Sequence, residues 1–257
     1  MIQQVCRVSD NRRVGGDIYV LSFYSPEIAQ SILPGQFVNL RVDDSYMPLL
    51  RRPFSVYHVH DNNVSVIFNV VGTGTRMLSL KRSGDLLDVI GPLGTSYNIE
   101  GDYHTGILVA GGLGVAPLPM ITAALQKRGR KIRTFLGARS DKQLVSTYLE
   151  NVAVATDDGS SGFNGTVVDL LLKFLRNEPR EDYKLFACGP TPMLIALFKA
   201  VEEFHLPCEV SLESSMACGI GICQGCPVER IGGEKKYSLI CREGPVFSNE
   251  TVKLESW

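Results

Sequence analysis

The stretch Gly106-Ile107-Leu108-Val109-Ala110-Gly111-Gly112-Leu113-Gly114-Val115-Ala116-Pro117 decides how the rest of the chain is read. It opens a run from Gly106 to Gln126 without a charged residue, long enough by itself to cross a bilayer. Glycines at 111, 112 and 114 and prolines at 117 and 119 interrupt that run, so it reads instead as a buried strand, a glycine turn and a helix. The same alternation continues downstream. Strands are expected at Ile132–Ala138, Val152–Thr156, Lys184–Ala187 and Cys208–Leu212, and helices at Pro117–Lys127, Asp141–Glu150, Val167–Asn177 and Pro192–His205. Leu170, Leu171, Phe174 and Leu175 fall at helical spacing, as do Leu194, Leu197, Phe198 and Val201. Such crossovers imply a parallel sheet covered by helices, with ligands at the carboxyl ends of its strands.

Upstream the rhythm differs. Tyr19–Phe23, Phe37–Val42, Phe54–Val59, Val64–Val70 and Leu86–Ile90 are rich in β-branched and aromatic residues, and turn signals such as Pro34-Gly35, Asp61-Asn62-Asn63 and Ser83-Gly84-Asp85 separate them. This spacing favours an antiparallel barrel or sandwich, and the barrel is the expected form. The expected fold class is β plus α/β: a barrel over residues 1–100, a parallel-sheet nucleotide domain over 101–212, and a small module over 213–257. Thr95–Thr105 reads as a linker. The last segment is too short for an apolar core of its own, and a metal centre would order it.

Composition narrows the class. The 257 residues carry 26 Lys+Arg against 27 Asp+Glu, a net charge of −1, which excludes a basic nucleic-acid footprint over the whole chain. There are seven cysteines, four of them within the last 40 residues, and Met1–Asp10 has no apolar core segment. A secreted disulfide framework needs paired cysteines and a signal peptide, so a reducing, cytoplasmic setting without a membrane span is expected.

The clustered cysteines follow the pattern Cys218-x4-Cys223-x2-Cys226-x14-Cys241, the plant-type ferredoxin spacing. Four thiolates can hold two irons, and Gly219, Gly221 and Gly225 let the backbone curl around inorganic sulfides. A single zinc is the alternative, although a zinc ribbon shows two Cys-x2-Cys knuckles and only Cys223/Cys226 forms one here. Cys6 and Cys208 lack partners at ligand spacing and read as buried packing residues.

Three further segments carry chemistry. Gly112-x-Gly114-x-x-Pro117 could seat a pyrophosphate at a helix N-terminus, or could simply be tight packing. Cys188-Gly189-Pro190 and Thr156-Asp157-Asp158-Gly159 end later strands and should reach the same rim. In the β region, Arg51-Arg52-Pro53-Phe54-Ser55 joins a guanidinium, an aromatic ring and a hydroxyl, and Gly72-Thr73-Gly74-Thr75 reads as a glycine turn capped by Thr75. Arg52 could pair with a diphosphate there; the alternative is a solvated arginine pair. Nicotinamide delivers two electrons as hydride whereas an iron–sulfur cluster accepts one at a time, so a mediator able to do both is needed, and a flavin can.

At this point the residues resemble a known family. Arg52-Pro53-Phe54-Ser55 is similar to the flavin motif of the ferredoxin–NAD(P) reductase superfamily. Gly112-x-Gly114-x-x-Pro117 and Cys188-Gly189-Pro190 are similar to its nicotinamide-side motifs. Met216-Ala217-Cys218-Gly219-Ile220-Gly221-Ile222-Cys223-x2-Cys226, followed by Cys241-x2-Gly244-Pro245-Val246-Phe247, resembles the tail of the electron-transfer subunits of NAD-linked (class 1B) dihydroorotate dehydrogenases.

The resemblance implies FAD, a [2Fe-2S] cluster and NAD(H). It also implies an FMN-containing dihydroorotate dehydrogenase catalytic subunit as partner, in a heterotetramer of two subunits of each kind serving pyrimidine biosynthesis. Carried over by position, Arg52, Pro53, Phe54, Ser55, Ile67, Phe68, Asn69, Gly74 and Thr75 would hold FAD, with Ser55 catalytic beside the ring. Gly112, Gly114, Pro117, Cys188, Gly189 and Pro190 would serve NAD, and Cys218, Cys223, Cys226 and Cys241 would ligate iron. Asn69 stands where some relatives carry a basic residue, and Arg139 is placed to accept a 2′-phosphate. A diaphorase-type subunit of a hydrogenase, transhydrogenase or oxygenase system would share these cofactors and differ in its partner.

Overall fold

Residues 63–69, Asn-Val-Ser-Val-Ile-Phe-Asn, bury Val64, Val66 and Phe68 along one face, as period-two alternation requires. The computed structural model, which describes residues 1–43, 47–177 and 182–254, closes this strand and five others into a barrel. The strands are β1 (Ile2–Gly15), β2 (Ile18–Tyr24), β3 (Phe37–Arg41), β4 (Arg52–His60), β5 (Asn63–Asn69) and β6 (Leu86–Leu93), in the order β1-β2-β5-β4-β3-β6, all antiparallel. Two short helices complete it: α1 (Pro26–Ser31), capped by the Ser25 hydroxyl, and α2 (Thr73–Leu80). Their Ile28 and Leu78 are fully buried in the barrel core, each contributing about 2 kcal/mol.

β1 is a strand that residue patterning does not reveal. Only its Cys6 and Val8 are buried, and its other side chains are mostly polar. Barrel closure decides its state: β1 pairs with β2 on one side and β6 on the other, so its backbone groups are satisfied whatever its side chains.

The second unit is a sheet of β7 (Thr105–Gly111), β8 (Lys131–Ala138), β9 (Val152–Thr156), β10 (Phe163–Asn164), β11 (Tyr183–Cys188) and β12 (Cys208–Ser211). The tail adds β13 (Pro227–Arg230), β14 (Tyr237–Leu239), β15 (Val246–Ser248) and β16 (Val252–Lys253). The order is β10-β9-β8-β7-β11-β12-β15. Every pair is parallel except β12 with β15, so the expected parallel sheet gains an antiparallel edge strand donated by the tail. The tail thus keeps a small sheet of its own, β14-β13-β16, and also lends β15 to the larger sheet. Trp257 lies outside the described residues.

Helices α3 (Leu118–Lys127), α4 (Val167–Asn177) and α5 (Thr191–Phe204) cover the sheet. Along β7, Ile107 and Val109 face α4 and α5 while Leu108 and Ala110 face α3, so a wholly apolar strand is buried on both faces. The helix expected at Asp141–Glu150 does not form. A single 3-10 turn, Asp141–Gln143, is followed by irregular chain that turns at Thr147–Tyr148, because this segment is drawn onto the barrel. The Tyr57 hydroxyl donates to the Thr147 carbonyl, and the Tyr148 ring stacks on His58 at 4.0 Å. Among the described residues no helix is long and apolar enough to cross a membrane.

The linker is fastened by a buried ion pair. Lys184 Nζ of β11 lies 2.9 Å from Glu209 Oε1 of β12, with side-chain exposures of 10% and 14%, and Glu209 Oε2 accepts the Asn98 N–H at 2.7 Å. Glu209→Gln leaves the buried ammonium without its counter-charge. It should cost about 3 kcal/mol, read as a fall of roughly 5–10 °C in melting temperature.

Candidate cofactor cleft

The flavin-side cleft forms where the three segments of the chain meet. Its volume is 290 Å³. The barrel supplies Phe37, Pro53–Ser55, Ile67–Asn69 and Thr75; the turn after β7 supplies Leu113 and Ala116; and the tail supplies Leu212–Ser214, Met216 and Pro245. Among its described lining residues Glu213 is the one ionisable side chain. Neighbouring atoms crowd its carboxyl and raise it above the usual range, although the residue keeps an open outer surface.

The two arginines divide. Arg51 is tied to β6, its Nη2 lying 2.5 Å from Asp88 Oδ2 and its Nη1 3.0 Å from the Asp88 carbonyl. Arg52 turns towards α2: a β-carbon on Gly74 would lie 3.0 Å from its Nε. Thr75 does not precede the helix as a cap. It sits in the first turn, and its Oγ1 accepts the N–H groups of Val71 and Gly72 at 3.0 and 3.2 Å. The amides of the first turn and the Arg52 guanidinium, whose Nη1 also donates to the Leu50 carbonyl, are the groups here that could hold a diphosphate.

A second cavity of 440 Å³ adjoins at the carboxyl ends of β7, β8, β9 and β11. The three rim segments expected to converge do so: Gly111–Leu113, Asp157 and Pro190 all line it, with Gly137–Arg139 and Met193. Of the expected nicotinamide-side residues, Gly112 and Pro190 face the cavity, whereas Gly114, Pro117, Cys188 and Gly189 lie behind it. Gly114 is a packing glycine, since a β-carbon there would overlap the Cys188 carbonyl. The turn is 3-10 over Gly112–Val115 and α3 begins only at Leu118, so no helix terminus follows the glycines directly. Cys188 is buried, which pushes its thiol well above the ordinary value. Asn69 and Leu113 line both cavities.

The cysteines form an outer and an inner pair. Cys218 Sγ accepts the N–H groups of Ile220 at 3.5 Å and Cys223 at 3.4 Å; Cys226 Sγ accepts the Cys241 N–H at 3.4 Å. Cys226 and Cys241 are buried, Cys223 is exposed and Cys218 is half-buried. Desolvation acts against the Cys218 thiolate, but the N–H groups aimed at it win and lower the thiol to about 6. Burial first, then Cys226, raises Cys241 to about 12. Gly219 has φ +70°, and a β-carbon on it would stand 2.5 Å from Asn39 Nδ2, which donates to the Cys218 carbonyl at 3.1 Å. Four thiols in two pairs, with N–H groups directed at sulfur, fit a binuclear iron–sulfur group. Among the described residues no three His, Cys, Asp or Glu converge on a single ion position. Cys6 and Cys208 are buried, as expected.

Residue patterning did not point to Phe37, Leu113, Leu212 or Met216 in the cleft. They are apolar residues distinguished mainly by position; Leu113, inside the glycine turn, and Met216, two residues before Cys218, lie next to a signal.

Residues 213–253 match the family model described as the iron-sulfur cluster binding domain of dihydroorotate dehydrogenase B. A relative from Fusobacterium nucleatum, named dihydroorotate dehydrogenase B (NAD(+)), electron transfer subunit, is 36% identical over 265 residues, covering 97% of this chain and 98% of its own length. One of the same name from Bacillus caldolyticus is 38% identical, covering 96% and 97%. The chain belongs to this family. Among solved structures it is similar to a chain of the NADH-dependent reduced ferredoxin-NADP oxidoreductase (TM-score 0.86, 31% identity, 98% of this chain and 90% of that one). It shares its fold with phthalate dioxygenase reductase (TM-score 0.64, 15% identity, 90% and 88%).

Gly114→Ala tests the packing at the family's rim. The added methyl should destabilise the fold by about 1–3 kcal/mol through overpacking and weaken NAD+ binding, with flavin content preserved. Thermal denaturation and a dinucleotide titration read the two effects separately.

Proposed function

We propose that this chain passes electrons between an FMN-containing subunit that oxidises dihydroorotate and NAD+, by way of a [2Fe-2S] cluster and FAD, in pyrimidine biosynthesis. The observation that carries the reading is the shared wall: the two cavities meet at Asn69 and Leu113, and the flavin-side cleft is closed by the segment Leu212–Met216 that leads into Cys218. One contiguous path thus joins a nicotinamide pocket, a flavin cleft and a thiol cluster. A bound flavin exchanges electrons singly with an iron–sulfur centre and in pairs, as hydride, with nicotinamide.

The chain's residues divide the work. Arg52, with the amides around Gly74 and Thr75, would neutralise a diphosphate such as that of FAD. Pro53, Phe54, Ile67 and Phe68 line the cleft with apolar surface that would keep water from its ring, and Ser55 and Asn69, which line the same cleft, would help to hold it. Gly112 and Pro190 take the dinucleotide, while Gly114, Pro117, Cys188 and Gly189 hold that rim in shape. Cys218, Cys223, Cys226 and Cys241 hold the irons. Exposed Cys223 and Ile222 put the outer thiol pair at the surface, where a partner subunit can approach. Assembly as a heterotetramer of two subunits of each kind is part of this reading. So is a cytoplasmic setting, which the seven free thiols support.

The test is reconstitution. The purified chain should carry FAD, iron and acid-labile sulfide, and should oxidise NADH with artificial acceptors. It should oxidise dihydroorotate with NAD+ only when the FMN subunit is added. Dihydroorotate oxidation by the chain alone would overturn the subunit assignment, and one zinc in place of iron and sulfide would overturn the cluster. Capture of a hydrogenase or oxygenase partner in place of the FMN subunit would redirect the function.

A further inference from the structure

The nicotinamide-side cavity runs across several strand ends. Leu113, in the turn after β7, is shared with the flavin-side cleft, whereas Arg139 and Asp157 line only the nicotinamide side, at the ends of β8 and β9. Those strands lie on the side of β7 away from β11. A dinucleotide with its nicotinamide at the shared wall and its diphosphate along the turn Gly111–Leu113 carries its adenosine towards β8 and β9, at about 5 Å per strand.

Arg139 and Asp157 stand at the same level on neighbouring strands. Ala138 pairs with Thr156 in parallel register, so each charged residue is the first after its strand. The Asp157 N–H donates to the Ala138 carbonyl at 3.1 Å, and the Asp158 N–H to the Arg139 carbonyl at 3.2 Å. The backbone thus brings a guanidinium and a carboxylate to the rim side by side. Both residues line the cavity, yet neither side chain has a hydrogen bond or ion pair among the described residues. The neighbouring acids are engaged elsewhere. Asp158 accepts the N–H and the hydroxyl of Ser160 at 2.9 and 2.6 Å, and Asp169 accepts the Thr166 hydroxyl at 2.6 Å.

In open sheets of this kind the second strand ends near the adenosine ribose, where an acid suits the hydroxyl of NAD and an arginine suits the 2′-phosphate of NADP. Here the second strand of the unit, β8, is followed by Arg139, and the acid follows the third. The two groups act in opposite directions on a 2′-phosphate. Arg139 attracts it, while Asp157, an acceptor only, repels it and receives no hydrogen bond from it. A ribose hydroxyl can donate to Asp157 and asks nothing of Arg139.

We infer that Asp157 accepts the 2′-hydroxyl of the adenosine ribose and holds shut a 2′-phosphate site that Arg139 would otherwise make, so that this one carboxylate sets the preference for NAD(H) over NADP(H). The inference rests on the NAD reading above and deepens it.

Dissociation constants for NAD+ and NADP+, measured by calorimetry on the chain loaded with FAD and cluster, test it. The wild type should hold NAD+ at least about tenfold more tightly than NADP+, the value of one hydrogen bond to a charged group. Asp157→Asn should tighten NADP+ about tenfold and weaken NAD+ by less, because an amide oxygen still accepts from the hydroxyl. That gain should shrink at high salt, as attraction to an exposed guanidinium does. Adding Arg139→Gln to Asp157→Asn should abolish the gain, whereas Arg139→Gln alone should leave NAD+ binding unchanged. A wild type that binds the two dinucleotides equally or prefers NADP+ overturns the proposal. So does Asp157→Asn without a rise in NADP+ affinity, or a rise that survives Arg139→Gln. A wild type that binds neither dinucleotide strikes the NAD reading itself, and this proposal with it.

Discussion

Tyr97 holds the units of this molecule against one another. Its backbone N–H donates to the Pro34 carbonyl of the barrel at 2.9 Å, and its hydroxyl to the Ala187 carbonyl at the end of β11 at 2.8 Å. Its ring meets Phe186 edge-on and lies so close to Gly35 that no side chain fits there. Next to it, Thr95 bonds to the Gly244 and Val246 carbonyls of the tail. Each such bond is worth only about 1 kcal/mol. Together they fix the barrel, the sheet and the cysteine segment around one cleft, and every cofactor contact depends on that placement.

The cleft is built mostly from backbone and apolar surface. Charge is used sparingly and locally: Arg52 beside the first turn of α2, Glu213 at the cleft wall, Arg139 and Asp157 at the dinucleotide rim. A net charge of −1 fits this arrangement, because helix ends and single guanidinium groups act over a few ångströms where a global field is screened. The buried Lys184–Glu209 pair belongs to a different task. It fastens the linker beneath the sheet and points at no ligand cavity.

Glycine does different work at each turn. At Gly219 a positive φ lets the loop curl beneath Cys218; at Gly114 the missing β-carbon lets the turn after β7 touch the end of β11. The latter contact lies between adjacent strands at which the strand order reverses, the crevice where open sheets of this kind receive their ligands. One motif therefore serves packing through Gly114 and ligand access through Gly112.

Much of this was legible along the chain. The apolar runs of β7 and β11, the spacing of α4 and α5 and the four cysteine positions are local signals, because periodicity and ligand spacing are set by geometry that neighbouring residues share. The polar strand β1, the irregular segment after Gln143 and the transfer of β15 into the sheet carry no such signal. Each is decided by partners far away in sequence: barrel closure, the Tyr57 and His58 surface, and the free edge of β12. The division of Arg51 from Arg52, the retreat of Gly114 behind the rim and the place of Asn69 between two cavities were likewise settled only by folding. A residue's type fixes which bonds it can make, but which partner is within reach depends on long-range contacts.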